Sequence, residues 1–426
     1  MLQEECKEKI LSEEYRDFMM RDTGALGKNF PLENGCRIPL KYGFELFYID
    51  QSEDRKKSLA DYPYTMVPKC YTTLDMAAIQ QAGIAAVQNI PGLELSGEGV
   101  LVGIIDTGIN YLDPIFRNLD GSTRIQRIWD QEEQSGTAPR EIGYGSEYTK
   151  EQINQAILSE NPKETVPSFD TDGHGTFVAS VACGGAEMVI VKLKEAKEYL
   201  REYYFVDRDA GCYQENDLVA AVFYLQKVQE ELKRPLVICL AVGTSFGGHG
   251  GYSILSEYLQ NVAASEGIGI VTGSGNEADK RHHYLGILEQ ENNLPVEINV
   301  GNNTRGFVME LWTELPNLLA LSIASPTGQT VGPISLKRGI GEYVFVFEQT
   351  RVIFNYRVLV ETTGAQLAFF QFERPGSGIW KIIPETLELG NGIFHIWLPM
   401  EEFLTGNVYF IRANPEYTVM EPGDTG

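Results

Sequence analysis

The chain has 426 residues, 43% of them hydrophobic and 22% charged, which is typical of a globular protein and leaves room for two or three domains. Its 59 acidic and 35 basic residues give a net charge of −24, which excludes the basic surface that nucleic-acid binding requires. No apolar run approaches the roughly 20 residues that span a bilayer, and the charged start lacks the apolar core of a secretory signal, so we expect no membrane partner.

The cysteines are scattered along the chain and include no CxxC pair. They are Cys6, Cys36, Cys70, Cys183, Cys212 and Cys239. This spacing argues against a disulfide framework and against a thiolate metal site, and it suits a reducing compartment. We therefore expect no bound metal.

Residues 1–71 are predicted to form a small separate unit. In it, Leu11, Tyr15, Phe18 and Met19 recur at helical spacing, which indicates a helix. Nothing in this region carries an evident chemical motif.

Residues 72–283 have the pattern of an α/β domain. Three continuous apolar runs are typical of parallel strands that are buried on both faces. These runs span residues 99–106, 236–241 and 268–272. Two helices with one apolar face each lie among them, and their predicted caps are Asn216–Asp217 and Ser253. Strands and helices that alternate in this way predict a doubly wound parallel sheet.

Residues 284–412 lose the helical period and predict an inserted all-β sandwich. Short runs rich in β-branched and aromatic residues are separated by Gly, Pro, Asn and Thr turns. The predicted strands are 296–300, 307–312, 343–347, 352–360, 366–372, 393–398 and 408–411. The remaining residues, 413–426, end in a loop rich in proline and glycine.

Three motifs carry candidate chemistry. IIDTG places Asp106 at the carboxyl end of a buried strand, where active sites form in parallel sheets, although an aspartate there can also cap a turn. DGHGT places His174 between two glycines, so that its imidazole is unhindered and suited to act as a general base; the alternative is a helix cap. GSGNE places Asn276 after another buried strand, where its amide can face an oxyanion or form a simple turn.

Together and in this order, the three motifs resemble those of the subtilisin-like serine proteases, the subtilases. The phrases VKLKEAKEYLREYY, YQEND and RHHY extend the likeness to the Csp-type subtilases of spore-forming bacteria. The resemblance implies a prodomain-like segment, a subtilase-like α/β domain with a jelly-roll-like insert, and a return to the protease domain beginning in residues 413–426. With no signal peptide seen, we expect a cytoplasmic or spore-associated protein.

The resemblance also implies roles for single residues in a serine-type endopeptidase that needs no cofactor. Asp106 would orient His174, His174 would take the proton of a serine hydroxyl, and Asn276 would hydrogen-bond the oxyanion. The polypeptide substrate would be bound as an added strand by an edge segment that could equally be an ordinary strand end. This segment comprises Leu240, Ala241, Val242 and Gly243. The protein's own prodomain would be a second partner, released by self-cleavage within residues 63–70.

The chain departs from the family in two places. No GTSxAxP-like motif follows Asn276, and the Gly-Thr-Ser that ends at Ser245 precedes Asn276 and lacks the small-residue helix behind it. We therefore expect the serine to lie in a missing C-terminal part, so that this chain alone is inactive. A loop is also missing after Gly185, which puts the packing beside His174 in question.

Two other functions stay open. An aspartic protease would use the Asp-Thr-Gly sequences at Asp106 and Asp424, but it needs two carboxylates a few ångströms apart and leaves DGHGT unexplained. A pseudoprotease that binds or senses polypeptides would keep Asp106 and His174 and lack the serine. The residues that follow Gly426 in the gene would decide between the last reading and the enzyme.

Overall fold

This computed structural model describes several separate ranges of the chain. It comprises residues 2–21, 35–54, 58–74, 97–288, 295–334, 339–360 and 363–411. The predicted loop at 413–426, with Asp424, therefore lies outside the described residues.

The N-terminal unit is a three-stranded antiparallel sheet with one helix packed on it. Its elements are α1 (Leu2–Leu11), β1 (Tyr15–Arg21), β2 (Cys36–Pro39), β3 (Phe44–Asp50) and α2 (Gln51–Asp54), and the strand order is β1-β3-β2. The helix predicted from Tyr15 to Met19 is wrong: these residues form β1, because pairing with β3 buries Phe18 and Met19 on opposite faces of the strand. Both faces are apolar, so the sequence shows no alternation.

A disulfide bond joins Cys6 of α1 to Cys36 of β2, although the cysteine spacing argued against disulfides. Their Cα atoms lie 5.5 Å apart, which is an ordinary separation for a bridge. The other four cysteines are free thiols. The spacing misled because the partners are brought together by the pairing of a helix and a distant strand and not by a local motif.

A six-stranded sheet with helices on both faces forms the α/β domain. Its elements, with the short strands beside it, are β4 (Cys70–Thr73), β5 (Leu101–Asp106), β6 (Ile125–Asp130), β7 (Ser146–Thr149), α3 (Lys150–Leu158), α4 (Pro162–Thr165), α5 (His174–Ala182), β8 (Glu187–Lys192), α6 (Glu198–Tyr204), β9 (Tyr213–Gln214), α7 (Glu215–Leu232), β10 (Leu236–Leu240), β11 (Val242–Gly243), α8 (Ile254–Ala263) and β12 (Ile268–Thr272). The strand order is β12-β10-β5-β8-β6-β7, in which only β7 runs antiparallel to its neighbour. The predicted doubly wound α/β class is confirmed.

The two predicted helix caps had different outcomes. Ser253 caps α8, because its hydroxyl accepts a hydrogen bond from the Ser256 N–H. Helix α7 begins earlier than predicted, at Glu215, so that Asn216 and Asp217 lie within its first turn and are buried there. Their side chains are used elsewhere: the Tyr144 hydroxyl donates to Asp217, for example. No helix in the described ranges has both the length and the apolar character needed to cross a bilayer.

Two antiparallel sheets form the sandwich. Its strands are β13 (His283–Ile287), β14 (Val296–Val300), β15 (Gly306–Glu314), β16 (Leu318–Ala324), β17 (Thr330–Ile334), β18 (Ile340–Phe345), β19 (Thr350–Arg357), β20 (Ala365–Glu373), β21 (Gly378–Glu388), β22 (Ile393–Trp397) and β23 (Val408–Phe410). One sheet has the order β13-β22-β15-β20-β19-β18 and the other β17-β16-β21-β14-β23. Buried side chains such as Phe307, Leu321 and Trp380 fill the space between them. The predicted inserted all-β sandwich is confirmed as part of the fold class.

A shared apolar cluster holds the three units together. The ring of Tyr204 on α6 stacks on Phe246 at 4.6 Å, and the ring of Tyr203 stacks on Phe369 of the sandwich at 5.6 Å. Phe18 of the N-terminal unit belongs to the same cluster. The N-terminal unit, the α/β domain and the sandwich therefore share one core at their junction.

Candidate active site

Asp106 and His174 lie against each other at the carboxyl edge of the α/β sheet. Asp106 is the last residue of β5 and His174 the first of α5, and His174 Nδ1 lies 2.7 Å from Asp106 Oδ1. Gly175 permits this approach, because a Cβ atom at that position would lie only 2.3 Å from the carbonyl oxygen of Gly108. The glycine after the histidine is thus needed for packing, and the short connection after Gly185 leaves this contact intact.

A buried carboxylate that the sequence analysis missed anchors the loop before His174. Asp170 accepts hydrogen bonds from the N–H of Gly173 (2.8 Å), from the N–H of Thr176 (2.9 Å) and from the Thr107 hydroxyl (3.0 Å). Burial alone would raise the pKa of Asp170, but these hydrogen bonds outweigh it and hold the pKa below its usual value. The sequence shows only its acidic character, which the neighbouring Asp172 shares, so the sequence alone did not single it out.

The protonation of His174 is controlled by its carboxylate partner. Burial alone would lower the pKa of the imidazole, but the hydrogen bond and the charge of Asp106 outweigh it and raise the pKa to about 9. Burial raises the pKa of Asp106, and its bonds to His174 and to the Thr107 N–H only partly offset this. The pair therefore favours an imidazolium held beside a carboxylate.

The other nitrogen of the imidazole faces the chain's own backbone. His174 Nε2 lies 2.7 Å from the carbonyl oxygen of Leu74, the residue that follows β4. The Leu74 N–H donates to the carbonyl oxygen of Ala241 at 2.8 Å. Within the described part of the chain, no serine hydroxyl is hydrogen-bonded to either ring nitrogen.

The predicted substrate-binding segment is paired with that same stretch of backbone. β4 is the middle strand of a three-stranded sheet, between β11 on one side and β9 on the other. Val242 pairs with Thr73, and Gly243 pairs with Thr72. β11 and β9 thus form the two sides of a groove, and the extended peptide in it is the chain's own residues 70–74. Of the predicted segment, Ala241, Val242 and Gly243 contact this peptide directly, and Leu240 is the residue before them.

Two glycines form the walls around the Leu74 side chain. A Cβ atom at Gly243 would lie 3.0 Å from a methyl carbon of Leu74, and one at Gly273 would lie 2.8 Å from it. Leu74 is 3% exposed. The Leu74 side chain therefore fits at this place because neither Gly243 nor Gly273 has a side chain.

Asn276 lies at the same edge of the sheet, in the loop after β12. Parallel pairing aligns Leu240 with Thr272 and with Ile105, so the ends of β10, β12 and β5 lie side by side. Asn276 follows Thr272 by four residues and is half-buried. Its backbone thus lies at the same edge of the sheet as Asp106.

Ser245 is committed to a different contact. Its hydroxyl is buried and donates to the carbonyl oxygen of Leu398, in the sandwich, at 2.8 Å. Among the described residues, Asp106 faces an imidazole and not a second carboxylate, whereas an aspartic protease needs two carboxylates that share a proton.

The adjacent histidines have separate partners. His282 Nδ1 lies 2.5 Å from a carboxylate oxygen of Glu277, and His283 Nε2 lies 2.9 Å from His395 Nδ1 on β22. Within the described ranges, no group of three or more metal-ligating side chains converges on one point.

Known proteins resemble this chain in sequence and in fold. The profile of the subtilase family matches residues 97–324. The CspB protease of Clostridium perfringens has a similar structure, with a TM-score of 0.66 and 27% sequence identity over 78% of this chain and 67% of that one.

Two plant proteins share a shorter stretch of sequence. The subtilisin-like protease SBT2.2 of Arabidopsis thaliana is 33% identical over 102 residues, and SBT2.3 of the same plant is 31% identical over 108 residues. The matches cover 22% and 24% of this chain but only 12% and 13% of the plant proteins.

Proposed function

The chain belongs to the subtilase family, and we propose that Asp106 and His174 are two members of a catalytic triad in a serine-type endopeptidase. The observation that carries the proposal is the imidazole held between the Asp106 carboxylate and a peptide carbonyl, each at 2.7 Å. A base, its orienting carboxylate and a bound extended chain are what acyl transfer to a serine requires.

In the proposed mechanism each residue has one task. Asp106 holds His174 in the tautomer whose Nε2 can accept a proton, and it stabilises the imidazolium that forms. His174 takes the proton of the serine hydroxyl as that oxygen attacks the peptide carbonyl, and later gives the proton to the leaving amine. The Asn276 amide donates to the oxyanion of the tetrahedral intermediate.

We further propose that the peptide bond after Leu74 is the bond cut when the N-terminal unit is released. Residues 70–74 lie in the groove as a substrate would, and it is the Leu74 carbonyl that faces Nε2. This places the cut four residues beyond the stretch 63–70 expected from sequence. It would make residues 1–74 the prodomain and the unit's own chain the first polypeptide substrate.

The proposed serine lies outside the described residues. β12 forms one edge of the described sheet, and its apolar side chains are only partly covered; Val271 is 57% exposed. An apolar run of this kind is normally buried on both faces of a parallel sheet. A further segment of the gene product that packs on β12 would carry the serine toward His174.

The test is labelling of the complete gene product with a fluorophosphonate at pH 8. We expect one labelled serine outside residues 1–426 and a new N-terminus at Asp75. His174→Ala should lower the labelling rate by about four orders of magnitude, because it removes the general base. Ser245→Ala should label like the unaltered protein, because its hydroxyl belongs to a structural contact.

Two results would refute the proposed triad: label found on Ser245, or unchanged labelling in His174→Ala. A protein that binds extended peptides without cutting them is the second candidate, favoured by the groove that residues 70–74 already fill. An intact N-terminus and no reactive serine in the complete product would support it.

A further inference from the structure

A partly open compartment lies beside the groove, upstream of β4. Lys69 and Tyr64 are among the residues that line it. Its walls come from three places: Glu215 at the start of α7, Phe246 in the loop after β11, and Trp312 of the sandwich. The chain that occupies the groove therefore continues into a pocket to which the sandwich contributes.

Glu215 contacts both the backbone and the side chain of Lys69. The Lys69 N–H donates to Glu215 Oε2 at 3.1 Å, the Glu215 N–H donates to the Lys69 carbonyl oxygen at 3.0 Å, and Lys69 Nζ lies 3.7 Å from the same carboxylate. The Glu215 side chain is 0% exposed and the Lys69 side chain 3%. The Glu215 carboxylate thus contacts Lys69, which is the sixth residue before the Leu74–Asp75 bond.

Glu310 of β15 is a second buried carboxylate, and its hydrogen-bond donors are residues that line the compartment. It accepts hydrogen bonds from the Tyr64 hydroxyl at 2.6 Å, from the Gly247 N–H at 3.0 Å and from Trp312 Nε1 at 3.0 Å. The Tyr64 ring packs edge-on against Trp312 at 5.4 Å, and Lys69 Nζ lies 4.4 Å from the centre of the Tyr64 ring. Lys69 Nζ also donates to the carbonyl oxygens of Val67 at 2.8 Å and of Tyr64 at 2.9 Å, so the bound chain and Glu215 together surround the ammonium group.

We propose that this compartment is a substrate subsite that selects a basic residue six positions before the cleaved bond, with Glu215 as the specificity-determining residue. The inference rests on the proposed function, because it takes residues 64–74 as an example of a bound substrate. The sandwich, through Glu310 and Trp312, then forms part of the substrate-binding surface.

The selectivity follows from the burial of Glu215. A substrate with an apolar side chain at this position would leave a buried carboxylate without its cationic partner, which is far costlier than a lost surface contact. We expect replacement of lysine by methionine to lower kcat/KM by about 100-fold, and replacement by glutamate to lower it further.

The experiment measures cleavage of quenched fluorescent peptides of residues 64–80 by the complete gene product. Peptides carrying Lys69→Met and Lys69→Glu are compared with the parent peptide, and Thr73→Val is the control within the same strand. In the Glu215→Gln enzyme, the lysine and methionine peptides should differ by less than threefold. Glu231→Gln, on an exposed residue of the same helix, should keep the preference for lysine.

The outcomes separate the subsite from the enzyme. Equal cleavage of the lysine and methionine peptides would overturn the subsite, and this comparison stands even where Glu215→Gln does not fold. If no peptide is cut, the proposed function fails, and hydrogen exchange in the 426-residue chain decides the subsite instead. Lys69→Met should then speed exchange of the amides of residues 70–74 at least tenfold, and unchanged exchange would overturn it.

Discussion

The imidazole of His174 has two neighbours, and they act on its charge in the same direction. The Asp106 carboxylate favours the protonated ring, and the Leu74 carbonyl accepts from Nε2, which therefore carries a hydrogen in this arrangement. A general base must have a free lone pair on that nitrogen. While residues 70–74 occupy the groove, His174 therefore cannot act as the proposed general base.

This charge predicts how stability depends on pH. The pKa of His174 is about 9, above its usual 6.5, so its contribution to stability is full below about pH 6.5 and is lost as the pH rises through 9. His174→Gln should therefore lower the free energy of unfolding by about 3 kcal/mol at pH 6 and by much less at pH 10. Urea unfolding at both values measures this, and a difference that does not change with pH would contradict it. His282→Gln should leave the dependence in place.

At the scale of elements, the sequence predicted best what is fixed by local pattern. The apolar runs that became β5 and β10 lie inside the sheet and are covered on both sides by the fold, and the run that became β12 has the same composition although it lies at the edge of the described sheet. Their carboxyl ends are adjacent by parallel register, and this brought Asp106 to the predicted edge of the sheet. Tyr15–Arg21 was misread because pairing with β3, and not its own pattern, makes it a strand.

Other features depended on tertiary contacts that no local pattern contains. Strands β16, β17 and β21 were missed, and each is held by its neighbours in the second sandwich sheet. Asp170 could not be chosen from the acidic residues around the DGHGT motif without its hydrogen bonds. Nor could the sequence show that residues 70–74 lie in the groove.

The contact between α5 and β5 gives a prediction at this scale. Gly175→Ala would place a methyl group 2.3 Å from the backbone oxygen of Gly108, which cannot rotate away as a side chain would. We expect a loss of about 3 kcal/mol in the free energy of unfolding, from forcing the helix off the strand. Ser180→Ala, on the last turn of the same helix and not among its buried residues, is the control and should change it by under about 0.5 kcal/mol. A Gly175→Ala protein as stable as its parent would show that the helix can shift freely.

For the whole molecule, three units meet at one buried carboxylate. Glu310 of the sandwich accepts from Tyr64, which follows the N-terminal unit, and from Gly247 of the α/β domain. Burial raises the pKa of Glu310, and its hydrogen bonds offset this only in part. Residues from all three parts of the molecule are thus hydrogen-bonded through this one carboxylate.

Removing that acceptor should loosen the whole assembly. Glu310→Ala leaves the buried donors of Tyr64, Gly247 and Trp312 without their partner, at about 1–3 kcal/mol for each unsatisfied group. We expect a loss of several kcal/mol and less cooperative thermal unfolding by calorimetry, because the units then separate more readily. Glu314→Ala, an exposed residue at the end of the same strand, should retain a single transition near that of the parent. Unfolding of both variants at the same temperature would mean that the junction is held by other contacts.

The position of β4 between two strands limits what else can enter the molecule. A guest must offer hydrogen-bonding groups along both of its sides at once, and a helix or a folded turn has none to spare. From residue 70 to the proposed cut after Leu74, the guest would have to straighten over five residues, a length of roughly 17 Å. Natural targets should therefore be cut in linkers or tails that are already unfolded, and compact proteins should resist until something else opens them.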